Sequence, residues 1–135
     1  MGVIYVARSA RLSKWASDVG LSKHVFKIGF TDENPKSVVQ QAGWAGETDW
    51  ALVKQQQADS LTDAEIIARL AAKTKMIDPN FYPKLKGVVG IFKVLPAHVE
   101  NHIIVSKALA GEEERGERKL KPADFAAYMI HNALR

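Results

Sequence analysis

Three short segments carry side chains that could take part in catalysis or in binding a charged ligand. Residues 3–5 (VIY) end in a tyrosine, residues 27–31 (KIGFT) begin with a lysine and contain a glycine, and residues 63–65 (DAE) end in a glutamate. The first two segments lie in runs rich in β-branched and aromatic residues, which predict strands. The third follows Ser60 and Thr62, either of which could cap a helix. These segments are therefore the first candidates for a functional site.

The remaining chemistry-bearing residues form weaker patterns. His98 and His102 have the i, i+4 spacing of a metal pair on a predicted helix, but no third ligand accompanies them at a suitable spacing. The chain has no cysteine, which excludes thiol catalysis and thiolate zinc sites. It also has no Walker phosphate loop, G-x-S-x-G elbow or G-x-G-x-x-G motif. Residues 81–86 (FYPKLK) could stack a base and contact phosphate through Lys84 and Lys86, or could simply form a packed connection.

Composition limits the class of protein. The 135 residues suit one globular domain, and the net charge of +4 permits contact with a polyanion. DNA is the expected partner, and RNA and a protein are the alternative partners. No apolar run approaches the length of a membrane span, and the N-terminus lacks the basic region of a signal peptide. We therefore expect a soluble cytoplasmic protein with no membrane contact.

The pattern along the chain predicts an α+β domain. Residues 2–8, 25–31, 49–55 and 87–95 are predicted strands. Helices are predicted after Pro35, from Leu61 to the Asp78-Pro79-Asn80 breaker, from Pro96 to Gly111, and after Pro122. Residues 9–24 could form a long loop or a short helix. Short connections between the early strands favour a small, mostly antiparallel sheet flanked by helices.

The order of these segments resembles the GIY-YIG endonuclease superfamily. The VIY segment corresponds to the first motif and KIGFT to the second, in the form KIG-x-T that is common in the phage and bacterial branch. A strand containing Trp50 and the helix with Glu65 follow in the family's order. The resemblance covers roughly residues 2–94. It implies a GIY-YIG-like domain at residues 1–95, with residues 96–135 as a helical extension packed on it.

The resemblance also implies roles for individual residues in the hydrolysis of a phosphodiester bond. Such a reaction needs an activated water, a cation beside the developing charge and an oriented phosphate. By resemblance, Tyr5 lies near the attacking water, Glu65 holds one Mg²⁺, and Gly29 permits close packing beside the site. Lys27 replaces the second-motif tyrosine, and a lysine could neutralise a phosphate. Tyr5, Lys27 and Glu65 are thus the catalytic candidates.

Two features depart from the family pattern. Val38 stands where the family has an arginine, and residues 6–26 are longer than its usual hairpin. Basic residues that could contact nucleic acid instead are Arg8, Arg11, Lys36, Lys84 and Lys86. Tyr5 could equally be an ordinary strand residue, and Glu65 could interact with the helix dipole and pair with Arg69.

Three hypotheses follow from these observations. The chain could be a GIY-YIG-like protein that binds DNA and cuts it with Mg²⁺. It could be the same scaffold without catalysis, acting as a DNA-binding or protein-interaction module. It could also be an unrelated α+β interaction protein. The nuclease hypothesis expects Tyr5 and Glu65 to face one shared basic groove.

Overall fold

The computed structural model describes residues 2–21, 23–58, 61–77, 82–85, 88, 90–109 and 120–134. Within these residues, five strands form one antiparallel sheet in the order β3-β1-β2-β5-β4. The strands are β1 (Gly2–Arg8), β2 (Val25–Thr31), β3 (Ala51–Ala58), β4 (Lys75–Met76) and β5 (Ile91–Lys93). The two motif strands, β1 and β2, are therefore hydrogen-bonded neighbours.

Five helices flank the sheet among the described residues. They are α1 (Ala10–Asp18), α2 (Pro35–Ala42), α3 (Asp63–Ala71), α4 (Pro96–Leu109) and α5 (Pro122–Ala133). Local sequence explains several starts: Ser9 caps α1, Asn34 caps α2 ahead of Pro35, and Thr62 forms a capping box with Glu65 at α3. Two short 3-10 turns, Trp44–Gly46 and Pro83–Leu85, lie between the larger elements.

Side-chain alternation along the strands divides the core into two layers. On one side, Ile4, Val6, Phe26 and Ile28 pack with α3, α4 and α5; we call this side the α5 face. On the other side, Tyr5, Ala7 and Val25 pack with α1, α2 and both 3-10 turns; we call this side the α1 face. Successive residues of the two motifs therefore point to opposite faces of the sheet.

The C-terminal helix α5 supplies a large part of the core on its face. Its buried residues are Phe125, Ala126, Tyr128, Met129, Ile130 and Ala133. The Phe125 ring stacks on Phe26 of β2 at a centroid distance of 5.4 Å. Because so much apolar surface of α5 is removed from water against the sheet, this helix contributes to the stability of the whole domain.

The end of α3 differs from the prediction. The helix predicted to continue to Asp78 ends at Ala71, and the chain then enters β4, a strand that was not predicted. Thr74 Oγ1 donates to the Lys93 carbonyl at 3.3 Å, and the Ile77 amide donates to the Ile91 carbonyl at 2.9 Å. Pairing with β5 therefore outweighs the helical periodicity of this segment.

The other elements differ mainly in their limits. Residues 9–24, left open between a loop and a short helix, contain α1. The third strand begins at Ala51 and extends to Ala58, beyond the predicted end at residue 55, because it pairs with the full length of β1. The strand predicted at residues 87–95 is formed at Ile91–Lys93, and Ser60, Asp78 and Lys86 lie outside the described residues.

The predicted fold class is confirmed. The chain forms a small antiparallel sheet with helices on both faces and two helices at its C-terminal end. Among the described residues, none of the helices has the length and apolar character needed to cross a membrane.

Candidate functional site

The two motifs meet at one pair of residues in the centre of the sheet. Tyr5 of β1 lies directly opposite Gly29 of β2 in the antiparallel register. A Cβ atom at Gly29 would lie 2.5 Å from Tyr5 Oη and 2.7 Å from Tyr5 Cζ. The tyrosine ring therefore occupies the space that any side chain at Gly29 would need, which explains why a glycine suits this position.

Trp44 covers this pair on the α1 face. Its ring stacks on Tyr5 at 6.2 Å and lies 5.0 Å from Lys27 Nζ. Gly43, in the left-handed conformation at φ 58°, ends α2 and turns the chain towards the sheet. The Trp50 indole N–H then donates to the Trp44 carbonyl at 2.9 Å, which holds the turn in place. A tryptophan face beside a lysine favours the charged amine by cation–π attraction.

Lys27 is a buried cation beside the tyrosine. Only 7% of its surface is exposed, and its ammonium donates to the Ile28 carbonyl at 2.9 Å. Burial lowers its pKa, whereas the negative charge of Asp63 acts in the opposite direction. Burial of a lysine lowers the stability of the fold, because the charged ammonium group loses its hydration.

Asp63 is the acidic residue that interacts with both motif side chains. Its Oδ1 accepts a hydrogen bond from the Phe30 amide at 2.7 Å, so the first residue of α3 is tied to the end of β2. Burial and, to a smaller extent, the negative charge of Asp63 together raise the pKa of Tyr5 to about 12. The same charge opposes the lowered pKa of Lys27. Asp63, Tyr5 and Lys27 thus form one electrostatic group.

Glu65 has a different environment from Tyr5. Its Oε2 accepts from the Thr62 amide at 3.3 Å within the capping box. The helix that carries it packs on the α5 face through Ile66 and Leu70, whereas Tyr5 points to the α1 face. Among the described residues, the carboxylate that interacts electrostatically with Tyr5 is therefore that of Asp63.

The chemistry of these carboxylates is compatible with magnesium. Hydrogen bonds use Asp63 Oδ1 and Glu65 Oε2, so the second oxygen of either carboxylate could bind a cation. The described residues contain no group of three His, Cys, Asp or Glu side chains suited to a metal. One carboxylate with several waters is nevertheless sufficient for Mg²⁺, which keeps most of its hydration shell.

The predicted basic contacts are dispersed over the surface. Arg8 lines a cavity of about 170 Å³ with Phe26 and Phe125 on the α5 face, away from Lys27. Arg11 and Lys36 are exposed on α1 and α2. Lys84 forms an ion pair with Glu47 at 3.1 Å, which reduces its attraction for phosphate.

Among the described residues, Val38 and the histidine pair make ordinary packing and ring contacts. Val38 is half-buried and packs against the α1-face core. His98 is exposed on α4, and His102 lies 4.8 Å from the His131 ring of α5. The valine fills space where the resemblance expects a guanidinium, so no arginine enters the site from that position.

Sequence reasoning missed Asp63 and Trp44 as members of the site. The predicted catalytic residues do not include Asp63, and Trp44 is not predicted to lie beside Tyr5. Each is brought to Tyr5 by tertiary contacts, Asp63 through the Phe30 amide and Trp44 through the indole of Trp50. A helix-start aspartate and a lone tryptophan carry no local signal for such contacts.

No protein-family model matches the chain, and no significant match to it was found among the curated proteins or the solved structures. The resemblance to the GIY-YIG superfamily therefore depends on the motif residues alone. What the chain does must be inferred from the side chains that the fold brings together.

The raised pKa of Tyr5 makes stability depend on pH in the alkaline range. An unfolded tyrosine loses its proton near pH 10, whereas folded Tyr5 keeps its proton until about pH 12. The unfolded state therefore binds fewer protons in this window, and the free energy of unfolding should fall as pH rises, by on the order of 2 kcal/mol. Urea unfolding of wild type and Tyr5→Phe at several pH values measures this fall, and parallel pH profiles for the two proteins would contradict it.

Proposed function

We propose that this chain is a nucleic-acid-binding protein built on a GIY-YIG-like scaffold. The observation that carries the proposal is the cross-strand pairing of the two motifs. Tyr5 lies opposite Gly29, and Lys27 lies two residues earlier on the same face beneath Trp44. The superfamily that these motifs resemble acts on phosphodiester backbones, so DNA is the proposed partner, with RNA offering the same phosphate chemistry.

The charge of the chain supports this class of partner. The net charge is +4, and a protein that binds a nucleic acid gains affinity by releasing the counterions condensed on its phosphates. Lysine and arginine side chains exposed on several elements are available for such contacts. Binding should therefore weaken steeply as the salt concentration increases, whereas flat salt dependence would favour a protein partner.

A second candidate function is Mg²⁺-dependent cleavage of the bound DNA. The observation that favours it is the electrostatic group of Tyr5, Lys27 and Asp63. Asp63 or Glu65 would hold the ion, which would supply positive charge beside the scissile phosphate when bound. The protonated Tyr5 hydroxyl would orient a water molecule. The Lys27 ammonium would add positive charge behind that hydroxyl.

Three features favour the scaffold without catalysis. The Lys27 ammonium already donates to the Ile28 carbonyl, Glu65 caps its own helix, and Val38 stands at the position of the family's arginine. Each feature removes or occupies a group that cleavage would use. Binding is therefore the function that we place first.

One set of assays separates these functions. We expect wild type to bind labelled duplex and single-stranded DNA with an affinity that falls steeply between low and moderate salt. The same samples, incubated with Mg²⁺ or Mn²⁺ and supercoiled plasmid, measure cleavage in wild type, Asp63→Asn and Glu65→Gln. Metal-dependent cutting that either substitution abolishes would establish the endonuclease. A folded wild type that binds neither form of DNA nor RNA would refute the proposal itself.

A further inference from the structure

A small cavity on the α5 face lies where three elements of the fold meet. Arg8 is the last residue of β1, His24 directly precedes β2, and Pro122 is the first residue of α5. All three line the cavity together with Lys23. Its volume of about 170 Å³ lies below the range of about 300–1,000 Å³ that is typical of small-molecule pockets. The cavity therefore has room for one chemical group of a ligand, and we call it the Arg8 cavity.

The Arg8 cavity collects positive charge. Arg8 and Lys23 both line it, and no aspartate or glutamate occurs among its described lining residues. Within the described part of the chain, neither of these cations forms an ion pair. A guanidinium offers a planar fork of donors that matches the oxygens of a phosphate, and the ammonium group adds a second charge. The two side chains therefore suit an anion.

His24 reports the same positive potential. Burial lowers its pKa, and the charges of Lys23 and Arg8 lower it as well, so the imidazole is neutral at about pH 7. The His24 ring stacks on Phe125 at 4.6 Å, and Phe125 stacks on Phe26 at 5.4 Å. These packed rings give the cavity a rigid apolar wall. An ion beside such a wall interacts with neighbouring charges more strongly than it would in open water.

The first turn of α5 makes only a small contribution to this potential. The amide groups at the start of a helix carry partial positive charge, and Pro122 brings the start of α5 to the cavity. Asp124 lies in the same turn, and its Oδ2 accepts a hydrogen bond from the Lys121 amide at 2.8 Å. The charge of this carboxylate offsets the dipole of the helix. The attraction for an anion therefore comes from the side chains of Arg8 and Lys23.

We infer that the Arg8 cavity binds the phosphate group of a phosphate monoester, with Arg8 and Lys23 neutralising its charge. A phosphate monoester carries a charge of about −1.5 to −2 at pH 7, which matches two cations, whereas a carboxylate carries a single charge. The monoester could be the phosphorylated end of a nucleic acid or a small phosphorylated molecule. The inference does not depend on the proposed function, because the described lining residues include none from the two motifs.

Two measurements test the cavity and distinguish these sources. Fluorescence anisotropy compares labelled oligothymidylates whose free end carries either a phosphate or a hydroxyl group. If the source is a nucleic-acid end, the terminal phosphate should tighten binding about tenfold, the effect of one charge-assisted contact. The cavity variant, Arg8→Gln with Lys23→Gln, should lose this difference. The control of equal net charge, Lys14→Gln with Lys75→Gln, changes two exposed lysines outside the cavity and should keep it.

The second measurement is amide chemical-shift mapping on wild type, which is independent of how the variants fold. Inorganic phosphate, thymidine monophosphate and acetate are added separately at constant ionic strength. The two phosphates should shift the amides of residues 8, 23, 24 and 123–125, and acetate should leave them unchanged. Such shifts without a preference for the phosphorylated oligonucleotide would support the inference, with a small phosphorylated molecule as the source.

The outcomes separate the inference from the proposed function. If both oligonucleotides bind equally well and phosphate leaves the cavity amides unchanged, the inference is wrong and the proposed function stands. If neither oligonucleotide binds but the two phosphates shift the cavity amides, the inference stands without the proposed function. Equal shifts with acetate, or phosphate shifts confined to the α1 face, would overturn the inference. An equal loss of the phosphate preference in the cavity variant and the control would do the same.

Discussion

Substitution of Phe125 by alanine should lower the free energy of unfolding by about 3–5 kcal/mol, the cost of removing a fully buried aromatic ring. Phe125 is 2% exposed and stacks on Phe26 at 5.4 Å and on His24 at 4.6 Å. Its loss would leave a cavity between α5 and the sheet, because the strand beneath cannot move to fill it. Denaturant unfolding of the full chain measures the change.

A matched control is available in the same C-terminal region. Ile104 on α4 is 53% exposed, so Ile104→Ala should change the free energy of unfolding by less than about 0.5 kcal/mol. An equally small effect at Phe125 would mean that α5 packs weakly. In that case residues 96–135 would be a separable extension, and not the packed extension that the sequence predicts, and residues 1–95 would fold without them.

Substitution of Gly29 by alanine should destabilise the fold by about 1–3 kcal/mol through overpacking. The added methyl group would meet Tyr5 Oη at 2.5 Å and Cζ at 2.7 Å. Tyr5 is only 4% exposed and has Trp44 stacked on it, so its ring has little room to move. Thermal or urea unfolding of the variant measures the loss.

A double-mutant cycle tests the cause of this loss. Tyr5→Leu removes the ring atoms that the new methyl group would meet, so Gly29→Ala should cost less in that background than in wild type. An equal cost in both backgrounds would show that the backbone of β2, and not the Tyr5 ring, requires glycine. DNA binding measured on the folded variants would show separately whether the motif pair matters for function.

Local sequence alone determined the motif strands and several helix starts. β1 and β2 follow from their β-branched and aromatic residues, and Asn34 with Pro35 marks the start of α2. Thr62 and Glu65 together form the capping box of α3. These signals are readable because the interactions that produce them join residues within one turn or along one strand.

Tertiary structure decided the elements and contacts that join distant parts of the chain. β4 exists because it pairs with β5, and α5 belongs to the core because Phe125 fits against β2. Trp44 stacks on Tyr5 and accepts a hydrogen bond from the Trp50 indole, and Asp63 is tied to β2 through the Phe30 amide. None of these outcomes follows from spacing along the sequence, because each depends on which surfaces pack together once the sheet has formed.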